Sequence, residues 1–189
     1  MHLHTPRLLL RDFIESDRAA FLAYQMDPRY RRLYDIDEAD EQRAHRLFDM
    51  FMSWQRVEPR RNFQIGIFEQ RTGRLCGCAG LRRMEQAERH AVLGIELTPD
   101  DWGRYRLAVE AAGALIDYGF RHLGLDTIVG DTASGNKRVE KLARWFGAEI
   151  VARRIGQDWM VARGWSEVRW ALSRDAWARS GRMRAFRST

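Results

Sequence analysis

Two arginines stand where an apolar strand pattern gives way to a long helix pattern. The segment is Gly94-Ile95-Glu96-Leu97-Thr98-Pro99-Asp100-Asp101-Trp102-Gly103-Arg104-Tyr105-Arg106-Leu107-Ala108-Val109-Glu110-Ala111. A helix N-terminus presents unpaired N–H groups and a partial positive charge, a natural seat for a phosphate or pyrophosphate. Arg104 and Arg106, read as lying in the connecting loop, add charge-assisted hydrogen bonds to such a ligand. On these residues alone, an ordinary strand–loop–helix connection with solvated arginines is an equal reading. Other constellations are weaker. Cys76 and Cys78 share one face of a strand pattern, but no Cys/His set with zinc spacing follows, so they read as two small core residues. Ser/His/Asp order, a Walker loop and a His-Glu-x-x-His pair are all missing. Trp159, Trp165, Trp170 and Trp177 read as packing residues in preference to a base-stacking platform. Asp35, Asp37, Glu38, Asp40 and Glu41 read as the charged first turn of a helix in preference to a lure for a cationic acceptor.

The chain that must position these groups has 189 residues, which fits one domain spanning 1–189 with a short arginine-rich tail from about 180. Its 45% hydrophobic and 31% charged content excludes a disordered chain. No apolar run approaches the roughly 18 residues that span a bilayer, and the first residues lack a secretory apolar core. Two cysteines make no disulfide framework, so a cytoplasmic location is expected. The net charge is +6, and lysine occurs only at Lys137 and Lys141. The arginines are spread along the chain, so solvated arginine is preferred here to a phosphate-rich partner.

Hydrophobic periodicity supplies the elements. Pro6–Phe13 reads as a strand, followed by a helix capped by Glu15-Ser16-Asp17 with Ala20, Phe21, Tyr24 and Met26 on its apolar side. A second helix starts near Asp37–Glu41 and carries Ala44, Leu47, Phe48, Phe51 and Trp54 at helical spacing. The period then changes to two, with 63–68 and 75–81 as a hairpin and 91–97 as another strand. Residues 107–123 form the strongest helix, ended by Gly124. A short strand at 127–129, a helix from Asn136 to Phe146 closed by Gly147, a strand at 149–153, a strand at 165–172 and a short helix near 175–179 complete the pattern. The fold class is α/β, a mixed α/β domain with its strongest helix after a central strand.

In this order the segments resemble the GNAT acetyltransferase superfamily, and within it the RimJ/RimL-like branch. Thr5-Pro6-Arg7-Leu8-Leu9-Leu10-Arg11 is similar to the branch's opening strand. Gly94–Leu97 with Pro99, Trp102, Gly103 and Glu110-Ala111 is similar to its central strand and cofactor loop. Leu115–Phe120 with Leu123-Gly124-Leu125 matches the end of its long helix. Asn136 lies eleven positions before Gly147, as in its asparagine helix, and Trp165, Trp170 and Leu172 resemble its last strand. The resemblance implies a GNAT fold, a mixed and largely antiparallel twisted sheet with helices on both faces. It also implies acetyl-CoA as cofactor, CoA as product, and direct attack on the thioester by a primary amine of a protein N-terminus, polyamine or small molecule.

Residue by residue, the resemblance places the pantetheine arm along the backbone of Ile95 and Leu97. It places the diphosphate over Trp102, Gly103, Arg104, Tyr105, Arg106, Leu107 and Ala108. Asn136 would hold the pantetheine from the far side, and Arg138, with Lys137 and Lys141, would reach the nucleotide phosphates. Glu96 is the candidate general base, and a positioned carboxylate typically contributes about 10²–10⁴-fold. His90, just before the strand, is a second candidate base, read more readily as a turn residue. Three positions depart from the family: Arg106 replaces a usual glycine, Ala143 a tyrosine general acid, and Val139 a frequent serine. The thiolate would then leave unassisted or take a proton from water. A CoA-binding regulatory module and a toxin-like enzyme acting on charged tRNA stand as alternatives. No membrane partner and no other nucleic-acid partner is expected, and a homodimer is left open.

Overall fold

The computed structural model describes residues 1–33, 41–85 and 87–181. An eight-stranded sheet has the order β1-β2-β3-β4-β5-β6-β8-β7. Its strands are β1 (His2–His4), β2 (Leu8–Asp12), β3 (Asn62–Glu69), β4 (Leu75–Met84), β5 (Ala87–Leu97), β6 (Thr127–Ala133), β7 (Glu149–Ile155) and β8 (Ser166–Ser173). The helices are α1 (Arg18–Gln25), α2 (Pro28–Leu33), α3 (Glu41–Trp54), α4 (Tyr105–Arg121), α5 (Lys137–Phe146), α6 (Asp158–Val161) and α7 (Arg174–Arg179). β1/β2, β2/β3, β6/β8 and β7/β8 pair antiparallel, whereas β5 and β6 run parallel. The parallel register covers His90–Val92 against Thr127–Val129, and β5 runs on to Leu97. No described helix is long and apolar enough to cross a membrane.

The chain divides into two compact units. Among the described residues, one comprises Met1–Gly80 and Ile95–Ala112, the other Leu81–Gly94 and 113–181. The core of the first unit is aromatic. Phe13, at the end of β2, meets Phe21 of α1 and Phe48 and Phe51 of α3 at centroid distances of 5.6, 5.4 and 6.3 Å. Such ring pairs add roughly 0.5–1.5 kcal/mol each beyond the area they bury. Tyr24, Tyr30, Leu75 and Cys78 belong to the same cluster. Glu110 fastens the opening strand to α4 by accepting from the Thr5 hydroxyl, the Arg7 N–H at 2.8 Å and Arg7 Nε at 2.7 Å.

In the second unit, the C-terminal half of α4 packs closely because Gly119 has no side chain. A Cβ there would lie 3.0–3.1 Å from Leu81, Ile128 and Leu125. Asn136 caps α5 by accepting the Val139 N–H at 3.2 Å, and Gly147 closes it with φ +81°.

Several expectations shift. The long helix starts at Tyr105, so Arg106 belongs to its first turn and not to the loop. His90 is a strand residue in register with Thr127, not a turn. Ala20 faces solvent, while Gln25 takes a buried place on α1. β1, α2 and α6 are additions. The acidic positions Asp35, Asp37, Glu38 and Asp40, and the tail beyond Gly181, lie outside the described residues.

Candidate active site

Glu96 lies near the end of β5, half-buried, with donors converging on both carboxylate oxygens. Tyr24 donates its hydroxyl to Oε1 at 2.7 Å, and Gln25 donates Nε2 to the same oxygen at 2.9 Å. Tyr30 donates to Oε2 at 2.6 Å, and the Cys78 thiol approaches Oε1 at 3.3 Å. Local sequence explains how α1 and α2 deliver these groups. Tyr24 and Gln25 form the last turn of α1. The Asp27 side chain then accepts the Arg29 N–H at 2.8 Å, and Pro28 opens α2 with its φ already helical. Arg29 also reaches Asp100 at 2.8 Å, tying α2 to the turn after β5 and holding Tyr30 against Glu96.

Burial, and then the neighbouring acidic groups Cys78 and Glu96, push the Tyr24 hydroxyl well above the usual phenol range. Burial and the Glu96 charge likewise push the Cys78 thiol up. Both therefore stay protonated at neutral pH and act as donors to Glu96. Burial pushes the Cys76 thiol up to about 11, helped by the Asp101 charge. Neither cysteine carries the thiolate that metal binding or nucleophilic chemistry needs. Gln25 completes the cluster with an oddity. Its Nε2 is bonded to Glu96, but its Oε1 is buried without a hydrogen-bond partner among the described residues. An orphaned buried acceptor costs about 1–3 kcal/mol.

The main chain at this point depends on the Cys76-Gly77-Cys78 sequence. Gly77 has φ +148°, and β4 passes so close to β5 that a Cβ there would overlap the Glu96 carbonyl oxygen. The adjacent Thr98 N–H pairs with the Cys76 carbonyl at 2.8 Å. Trp102 folds back and donates its indole N–H to the Leu97 carbonyl at 2.9 Å, so it braces the turn after β5.

The turn is anchored from below by Asp101, whose side chain is fully buried. It accepts from the Thr98 hydroxyl at 2.9 Å, from both terminal nitrogens of Arg74 at 2.7 and 2.9 Å, and from Arg104 at 2.7 Å. The guanidinium of the exposed Arg104 is thus paired with a buried carboxylate. Burial alone would raise the Asp101 carboxyl, but Arg74, Thr98 and Arg104 outweigh it and hold the group below its ordinary value of 3.8. A depressed carboxyl stabilises the fold above the ordinary value, and that stability is lost as pH falls below it. In urea unfolding, the wild type is expected to lose stability as pH falls below about 4 more steeply than Asp101→Asn does. Parallel acid limbs in the two proteins would show that Asp101 is not so held.

Above Asp101, a cleft of about 830 Å³ is lined by Gly103, Arg104, Tyr105, Arg106 and Leu107, facing Arg7 and Glu69–Arg71. The Gly103 and Arg106 N–H groups have no backbone partner among the described residues. The exposed Arg106 guanidinium has no ion pair there either. Glu69 is held below the usual carboxylate range by the Thr72 hydroxyl, against its own desolvation, and then by the charges of Arg74, Arg104 and Arg71. The cleft therefore combines a helix N-terminus, open N–H donors and a positive field, the elements of an anion seat.

A family model described as an acetyltransferase (GNAT) domain matches residues 7–149. The chain belongs to the GNAT acetyltransferase family. Relatives agree. YoaA of Bacillus subtilis, an uncharacterized N-acetyltransferase, is 28% identical over 146 residues, covering 77% of this chain and 81% of that protein. A GNAT-family acetyltransferase structure from Bacillus anthracis superposes with a TM-score of 0.76 at 18% identity, covering 93% of this chain and 99% of that one. A spermidine N-acetyltransferase SpeG chimera including the Vibrio cholerae protein gives a TM-score of 0.73 at 16% identity, covering 90% and 98%. This GNAT chain is therefore an acetyltransferase enzyme.

Of the residues singled out from sequence, Ile95, Glu96, Leu97 and the stretch from Trp102 to Ala108 fall in one compact unit of the acetyltransferase. Asn136 and Arg138 fall in the other, at the start of α5, where Asn136 uses its Oδ1 as the helix cap. Sequence reasoning missed Tyr24, Gln25 and Tyr30 as partners of Glu96. Asp27-Pro28, a cap followed by proline at the first helical position, was the legible sign of α2.

Proposed function

We propose that this acetyltransferase moves an acetyl group from acetyl-CoA to a primary amine, with Glu96 taking the amine proton. We also infer membership of the RimJ/RimL-like branch from the opening Thr5–Arg11 stretch and the Gly94–Ala111 segment. The observation that carries the reading is the pairing of two sites on consecutive segments: an anion seat at the start of α4 and a donor-locked carboxylate at the end of β5.

The residues fit an acyl-CoA. The open N–H groups of Gly103 and Arg106 and the Arg106 guanidinium suit a diphosphate. The main chain of Ile95–Leu97 lies beyond the parallel register of β5 and suits the pantetheine amides, as a strand edge suits another strand. When bound, acetyl-CoA supplies an acyl thioester open to attack by a neutral amine. The Glu96 carboxylate accepts the amine proton, and the Tyr24 and Tyr30 hydroxyls hold that carboxylate in one orientation. Among acceptors, polyamines and other small primary amines fit a half-buried carboxylate, and one of the similar structures is a spermidine N-acetyltransferase chimera.

Two measurements test the reading. Thiol release from acetyl-CoA should rise when primary amines such as spermidine or peptides with free N-termini are added. Binding of CoA with no acceptor-dependent release from any of them would select the regulatory-module alternative. Arg106→Ala should weaken CoA binding about 5–20-fold by calorimetry, the range of a lost charge-assisted contact at a partly exposed site, and leave pantetheine binding unchanged. Equal losses for both ligands would place Arg106 away from the phosphates.

A further inference from the structure

We propose that Gln25 determines the acceptor class by binding the amine directly, its Oε1 accepting one N–H while Glu96 receives the other. The inference rests on the reading of Glu96 as the proton acceptor. Its own support is the state of the Gln25 amide. Gln25 is only 4% exposed, and its amide orientation is fixed by chemistry. Nε2 lies 2.9 Å from a carboxylate oxygen, and the opposite orientation would set two acceptors against each other. Because both amide atoms sit on one carbon, Oε1 is held beside the Glu96 carboxylate, and it has no hydrogen-bond partner among the described residues.

The rest of the cluster cannot supply that partner by turning. Tyr24 and Tyr30 each have one hydroxyl proton, given to Glu96, and the Cys78 thiol also points to it. What the cluster still offers is acceptor capacity with a single negative charge, so it fits a ligand rich in N–H groups. A neutral primary amine has two N–H bonds and one lone pair. With one N–H on Gln25 Oε1 and the other on Glu96, the lone pair is left to form the new C–N bond. As the C–N bond forms, the C–S bond of the thioester breaks and the thiol leaves as its thiolate; the proton passes from nitrogen to Glu96, and Gln25 exchanges none. A secondary amine has one N–H and an alcohol has one O–H, so each leaves one acceptor buried and unpaired.

The test uses propylamine, N-methylpropylamine and spermidine as probes with the 189-residue enzyme. Gln25→Met, which keeps the length of the side chain, is expected to raise KM for propylamine and spermidine about tenfold. Under the same conditions KM for acetyl-CoA should stay within twofold, and the preference for propylamine over N-methylpropylamine should shrink. Gln25→Glu places a second carboxylate beside Glu96, so the acid limb of its kcat/KM profile should move to higher pH. A binding readout is independent of turnover: the Gln25 side-chain amide resonance, assigned by its loss in Gln25→Met, should shift as propylamine is titrated into the wild type. An unmoved resonance at saturating propylamine overturns the proposal. An unchanged amine KM in Gln25→Met also overturns it, and if Glu96→Gln has meanwhile lost turnover, Glu96 keeps its role. Wild-type turnover in Glu96→Gln removes the underlying reading and this one with it.

Discussion

Glu96→Gln is expected to lower kcat by about 10²–10⁴-fold, the range associated with a positioned proton acceptor. Glutamine keeps the shape of the side chain, and its one oxygen can still accept from either Tyr24 or Tyr30. It also turns an NH₂ toward donors that expect an acceptor, at Gln25 Nε2 or at Tyr30. Affinity for CoA should barely change, because the anion seat at Gly103–Leu107 is built from other residues. Steady-state kinetics with a saturating primary amine, together with CoA calorimetry, reads both quantities. A parallel loss of CoA affinity would mean that the variant has disturbed β5 and not the proton transfer.

Gly77→Ala is expected to cost about 3 kcal/mol, for two reasons that act at one atom. The residue has φ +148°, a region that side-chain-bearing residues rarely occupy, and its Cβ would overlap the Glu96 carbonyl oxygen and lie 2.7 Å from Leu97 Cα. Both contacts are with main chain, so no rotamer change relieves them. The melting temperature should fall by roughly 10 °C. Turnover should fall further than the folded fraction alone explains, because the displaced strand carries Glu96. A variant that melts with the wild type would refute the close approach of β4 to β5.

These two residues show how unevenly the sequence reported on the site. Glu96 was reached through the resemblance of Gly94–Ala111 to the family's central strand and cofactor loop, a segment easy to place because α4 is seventeen residues long with an apolar stripe. Gly77 was visible only as part of a Cys-Gly-Cys string, which drew notice for its thiols, whereas its conformation is what matters. Burial raises both thiols, so the cysteines act as small core residues, and Cys78 adds one weak contact to Glu96.

Tyr24, Gln25 and Tyr30 lie 72, 71 and 66 positions from Glu96, beyond any local spacing rule. Tyr24 was read as an apolar face residue, which its ring contacts with Phe21 and Tyr30 support, but its hydroxyl serves Glu96. Gln25 carried no signal because a glutamine at the end of a helix is ordinarily solvated. β1 and α2, at three and six residues, are too short for periodicity to mark. Arg104 illustrates the opposite case. It was picked for its charge beside a helix start, and its guanidinium is spent on the buried Asp101, which makes it a brace for the anion seat. Arg106, in the first turn of that helix, has no such engagement among the described residues.

Hydrogen–deuterium exchange with and without acetyl-CoA tests the central claim most directly. The account predicts slower exchange at the amides of Gly103 and Arg106 and along Ile95–Leu97, with Arg106→Ala losing the effect at the helix start first. Binding heat accompanied by unchanged exchange in both stretches would contradict it.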